Sequence, residues 1–169
     1  MLTLTLVGFA IFILYIITSV LMFGIPASIS ETYYLFESRK RNLGSVFTIM
    51  MFSLVFLLIS PFLEITPDNW QFLAFLSVTG IAFVGSAPLF KKKGLENIIH
   101  TYGAISAAVF SLIWIFVCYP SSWDSIMYAI IIVLILSLLF WRRLYYSKLF
   151  WVEMVMFLSI FLSIIKILS

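Results

Sequence analysis

Few side chains in this sequence could do chemistry, and they fall into three groups. The first is Ser28-x-x-Glu31-x-x-Tyr34, with Ser30 inside it, directly after Pro26. Ser28 and Glu31 have the spacing of a capping box, in which a hydroxyl and a carboxylate each satisfy the other's backbone donor. The second is Glu96 with His100, one helical turn apart. Histidine titrates near neutral pH, so such a pair can relay protons or hold a ligand headgroup. The third is Glu153, placed early in a long apolar run. A carboxylate there is costly unless it faces the protein interior or a basic partner, for which Lys148 and Arg143 are nearest in sequence.

These residues exclude several classes of chemistry. Ser28-x-x-Glu31-x-x-Tyr34 resembles part of the intramembrane hydrolases of the ceramidase and adiponectin-receptor type. Those enzymes use several histidines with an aspartate, a set this chain lacks. A catalytic metal needs about three nitrogen, sulfur or carboxylate ligands around an open position. The chain has one histidine and one cysteine, Cys118, at opposite ends of one apolar run. No metal or cofactor is implied. A serine nucleophile needs a base within reach, and Ser28 or Ser30 with His100 is the pairing the sequence offers. Glycine-rich phosphate loops are absent.

The elements that must position these groups are read from composition. Of 169 residues, 64% are hydrophobic and 10% charged, against roughly 25% charged in soluble domains. So little charge cannot cover a water-exposed surface. Six continuously apolar stretches stand out, at about 2–24, 44–64, 68–90, 97–119, 123–141 and 149–168. Each matches the roughly 20 residues that carry a helix across hydrocarbon. Continuous rather than alternating apolarity points to helices, not barrel strands. The expectation is an all-α, polytopic transmembrane bundle of about six spans forming a single membrane domain. The first stretch lacks a basic leader and a small-residue cleavage site, so it is expected to remain as a span.

Charge sorts the connectors. Arg39, Lys40 and Arg41 follow the first span, Lys91, Lys92 and Lys93 the third, and Arg142, Arg143 and Lys148 the fifth. Glu64, Asp68 and Asp124 mark the remaining connectors. Cationic loops stay cytoplasmic, which places both termini on the non-cytoplasmic side. The same cations would meet anionic lipid headgroups. They form no broad basic surface of the kind that binds nucleic acid. Lys166, at the end of the last stretch, can snorkel to the headgroups.

Two placements fit residues 28–37. Pro26 can break or kink the first helix, and the piece that follows either extends the span around a polar cavity or lies along the membrane surface. In the fourth span, Gly103, Ala107 and Ser111 share the face of Glu96 and His100 and form a small-residue seam. Its expected partner is the third span, through Gly80 and Gly85. The reading these features favour is a protein that binds or moves a small ligand, ion or lipid. Its polar cavity would lie near the cytoplasmic leaflet, lined by Ser28, Ser30, Glu31, Tyr34, Glu96, His100 and Glu153. Six short spans make a small conduit, so transport would imply a homo-oligomer. A scaffold that recognises a protein partner is the alternative, and an intramembrane hydrolase a third.

Overall fold

The computed structural model describes residues 1–139 and 146–169, with the backbone alone at Ser122 and Leu139. Among these residues the chain is all-helical, 83% helix with no strand. Four helices are long and apolar enough to cross a membrane: α1 (Leu2–Phe23), α3 (Ser45–Ile65), α5 (Leu95–Cys118) and α7 (Lys148–Leu168). They make the chain a membrane-embedded one. Three shorter helices are also found among the described residues: α2 (Thr32–Arg39), α4 (Gln71–Ser86) and α6 (Trp123–Leu139).

Local chemistry sets the boundaries. α1 ends where Gly24 takes φ 74°, a conformation disfavoured for residues that carry a Cβ. Pro26 follows two residues later, and helix resumes only at Thr32. The interruption therefore separates two helices rather than kinking one. The Glu37 carboxylate turns back to accept the Asn42 and Gly44 N–H groups at 3.0 and 3.1 Å, satisfying donors at the entrance to α3. α4 stops at Ser86, four residues short of the expected end at 90, because Pro88 disfavours helical geometry at Ala87. Single 3₁₀ turns, Asp68–Trp70 and Pro120–Ser122, lead into α4 and α6. The predicted fifth span runs to 141, and its last two residues lie outside the described chain, as do Arg142 and Arg143.

The α4–α5 contact is the most extensive, followed by α3–α4, α6–α7 and α1–α3. Phe12, Phe47, Leu54, Trp114 and Phe161 are fully enclosed between helices. Other large apolar side chains, such as Leu14, Leu21, Phe56 and Leu138, point outward. Lipid tails are as apolar as leucine, so the helices associate through close packing rather than through hydrophobic exclusion.

The small-residue seam is where that packing is tightest. A Cβ built on Gly80 would lie 2.5 Å from the Ala107 nitrogen and the Gly103 carbonyl oxygen. One on Gly103 would meet Phe83 Cβ at 2.7 Å. Ser77 donates across the seam to the Ala107 carbonyl and Ser106 donates back to Leu76. Gly85 does not belong to this contact. It faces α3, where its Cβ would meet Met51 at 2.8 Å. Ser111, fully buried, donates to carbonyls of its own helix.

The two ends of the bundle are tied separately. At one end, the Phe150 N–H of α7 donates to the Ala27 carbonyl, and Lys91 reaches Glu31. At the other, Trp114 Nε1 donates to Thr66 at 2.7 Å and Tyr119 donates to the Ile65 carbonyl. There Lys166 donates to Asp124 at 3.0 Å and to the Ser121 carbonyl at 2.7 Å. This lysine has protein partners rather than a purely interfacial position.

Candidate functional site

The stretch between α1 and α2 is docked across the start of α7, and its backbone groups are accounted for one by one. Ser28 Oγ accepts the Glu31 N–H at 3.0 Å. Glu31 Oε2 accepts the Ala27 N–H at 2.7 Å, one residue earlier than a regular capping box requires. The Ile29 N–H is taken by the Glu153 carboxylate of α7. Ile29 itself is 1% exposed. A buried N–H left unmatched costs about 1–3 kcal/mol, which explains why an acid stands within an otherwise greasy helix. Tyr15 of α1 bonds Thr32, which also donates to the Ile29 carbonyl. The segment is thus pinned from α1, α7 and its own turn.

His100 enters from α5. Its Nδ1 lies 2.9 Å from the Ala87 carbonyl and its Nε2 lies 3.0 Å from Ser30 Oγ. A carbonyl only accepts, so Nδ1 carries the proton. With the ring neutral, Nε2 is the acceptor of the Ser30 hydroxyl. Phe90 stacks on the imidazole with ring centroids 4.5 Å apart, and Tyr34 meets Phe90 edge-on. The Tyr34 hydroxyl accepts the Lys91 N–H at 2.8 Å. Lys91 Nζ donates to Glu31 Oε1 at 2.7 Å and sits 4.9 Å from the centre of the Tyr34 ring. Burial pushes the neighbouring Tyr33 phenol up, with the Glu37 carboxylate adding to the effect, so Tyr33 brings no charge to the cluster.

Ser28, Ser30, Glu31, Tyr34, His100 and Glu153 are therefore gathered at one end of the bundle. Glu96 is not among them: it is exposed on the first turn of α5. The imidazole that its spacing suggested as partner is committed to Ala87 and Ser30 instead. Lys91, which the sequence marks as a topology signal and a contact for anionic headgroups, is the one that joins Glu31. Nothing local could reveal that contact, because it spans 60 positions.

Beside this cluster lies a cavity of about 250 Å³. Ser30 and Glu153 are the polar members of its wall, and the rest is apolar, including Met51, Val84, Ala108 and Phe157. The wall residues Ala104 and Ile105 of α5 and Leu149 and Val152 of α7 are exposed. The cavity therefore opens sideways, between α5 and α7, on the outward faces of these two apolar helices. Among the described residues no three His, Cys, Asp or Glu side chains form a metal-ligand set.

No known protein family, curated protein or solved structure matches this chain.

Proposed function

We propose that the chain is a six-span membrane protein that binds one amphipathic lipid in the cavity beside Ser30 and Glu153. Four spans are α1, α3, α5 and α7. The other two are α4 and α6, each lengthened by the 3₁₀ turn before it. Helical rises of about 1.5 and 2.0 Å per residue then give each roughly 30 Å, the thickness of the hydrocarbon core. The cationic connectors stay cytoplasmic and both termini lie opposite, so the polar cluster sits at the cytoplasmic leaflet. Arg39, Lys40, Arg41, Lys92 and Lys93, all exposed, contact anionic headgroups there, and Arg142 and Arg143 belong to the same side.

The observation that carries the lipid reading is the cavity's shape and lining together. A lateral mouth bordered by Ile105 and Val152, 51% and 58% exposed, lets an alkyl chain enter from the bilayer. The apolar wall gives that chain no advantage over surrounding lipid. Selectivity comes from the polar end, where Ser30 and Glu153 meet the headgroup. An ion would find too few ligands in such a wall.

Native mass spectrometry of the protein released from its membrane in mild detergent tests this. The wild type is expected to retain one lipid equivalent, and Ala108→Trp, which fills the cavity, to lose it. A wild type that carries no lipid overturns the proposal.

A further inference from the structure

We propose that Ser30 is a nucleophile, with His100 as its base, acting on the ester of a long-chain fatty acid held in the cavity. The inference rests on the lipid-binding reading and goes beyond it, from holding a lipid to cleaving one.

Three observations meet at Ser30. Its hydroxyl lies 3.0 Å from His100 Nε2, within the reach a serine needs from a general base. The ring is held for that task. Nδ1–H is tied to the Ala87 carbonyl at 2.9 Å, which leaves the Nε2 lone pair for the hydroxyl, and Phe90 stacked on the ring fixes its plane. Finally, Ser30 belongs to the cavity wall, which puts this residue beside the space proposed for the alkyl chain. A hydrogen bond that only tied α5 to the connector would not need to border an apolar cavity open to lipid. Glu153 is a positioning residue: by taking the Ile29 N–H it holds the backbone next to Ser30.

The chemistry balances with water as the second substrate. Ser30 Oγ attacks the ester carbonyl carbon while its proton passes to His100 Nε2. The tetrahedral adduct collapses, the bond to the alcohol oxygen breaks, and that oxygen takes the proton from Nε2. Water then adds to the acyl-serine, giving its proton to Nε2. The fatty acid leaves as Ser30 recovers its hydrogen. No electron acceptor or metal enters these steps.

The test uses hexadecyl fluorophosphonate on the full chain in liposomes, read by intact mass and peptide mapping. Attack by Ser30 forms an oxygen–phosphorus bond and expels fluoride, leaving a stable adduct. The wild type is expected to be labelled at Ser30. Ser30→Ala is expected to take no label yet retain lipid, held at its headgroup by Glu153, in native mass spectrometry. Loss of a general base costs about 10²–10⁴-fold, so His100→Gln is expected to slow labelling by about 100-fold or more with lipid still bound. Glu153→Gln, which keeps an acceptor for Ile29, is expected to label faster than Glu153→Leu, which has none. The wild-type peptide map needs no variant, so a His100→Gln protein that fails to fold leaves the test standing. A wild type that retains lipid but carries no label at Ser30 overturns the nucleophile and spares the binding site. A wild type with neither lipid nor label overturns both.

Discussion

Helix α5 presents small residues on two sides, and the two sides do opposite things. Toward α4, Gly103 and Ala107 let a second backbone come so close that Gly80 has no room for a Cβ. Toward α7, Ala104 and Ala108, with Ala107 at the boundary between the two sides, help to leave about 250 Å³ unfilled. Small side chains permit close approach, but they enforce it only when the facing helix also lacks bulk. α4 supplies that with Gly80 and the Ser77 hydroxyl, which bonds the Ala107 carbonyl. α7 instead presents Met156 and Phe157 to the cavity and is tied to the start of the chain through Ala27 and Ile29. Those ties hold α7 to the α1–α2 connector. One helix thus joins a rigid seam to an opening.

Substitutions on the two sides should separate stability from binding. The largest loss of stability is expected at the seam. Gly80→Ala forces α4 and α5 apart against backbone atoms and should cost about 1–3 kcal/mol, with the roughly 1 kcal/mol that alanine gains in helix propensity offsetting only part of the clash. Thermal unfolding in detergent measures this, and a stabilised variant would mean the seam is looser than described. Next is Glu153→Leu, which leaves the Ile29 N–H buried without an acceptor. A loss of about 1–3 kcal/mol is expected, with Glu153→Gln close to wild type in the same assay. On the cavity side, Ala108→Leu should change stability by no more than about 0.5 kcal/mol. Its lipid occupancy, however, should fall about tenfold, equivalent to about 1.4 kcal/mol. Equal effects on stability and occupancy would erase the contrast. The smallest effect is expected far from both regions. Lys166→Ala removes a solvent-screened bridge to Asp124, whose partners are 43% and 60% exposed, and should cost about 0–1 kcal/mol.

Features carried by neighbours in sequence were legible before the fold was known. Apolar length marks the long helices within a few residues, and Pro26 marks the region where α1 gives way. The i, i+4 spacing of Gly103 and Ala107 places them on one face. The contact of Ser28 with Glu31 follows from their separation by three. What was hidden depends on which distant groups converge. His100 spaced from Glu96 reads as a pair, yet the fold turns the ring to Ser30, 70 positions away. Glu153 reads as a partner for a nearby cation, and nothing in its spacing announces that it also serves a backbone N–H across 124 positions. Gly85 has the composition of a seam residue but faces α3, because a residue type does not specify which neighbour it meets. The cavity is the least legible feature of all. It arises from side chains failing to fill a space, and Ala104, Ala108 and Phe157 individually look like ordinary membrane-facing residues.

The central claim is that the opening between α5 and α7 holds a lipid chain. A photoactivatable phospholipid with a diazirine on its acyl chain, incorporated into liposomes with the protein, tests it most directly. The account predicts saturable crosslinks at Ala108, Met156 and Phe157, lost in Ala108→Trp. Crosslinks spread only over the outward faces around Leu14, Leu21 and Phe56, unchanged by that substitution, would contradict it.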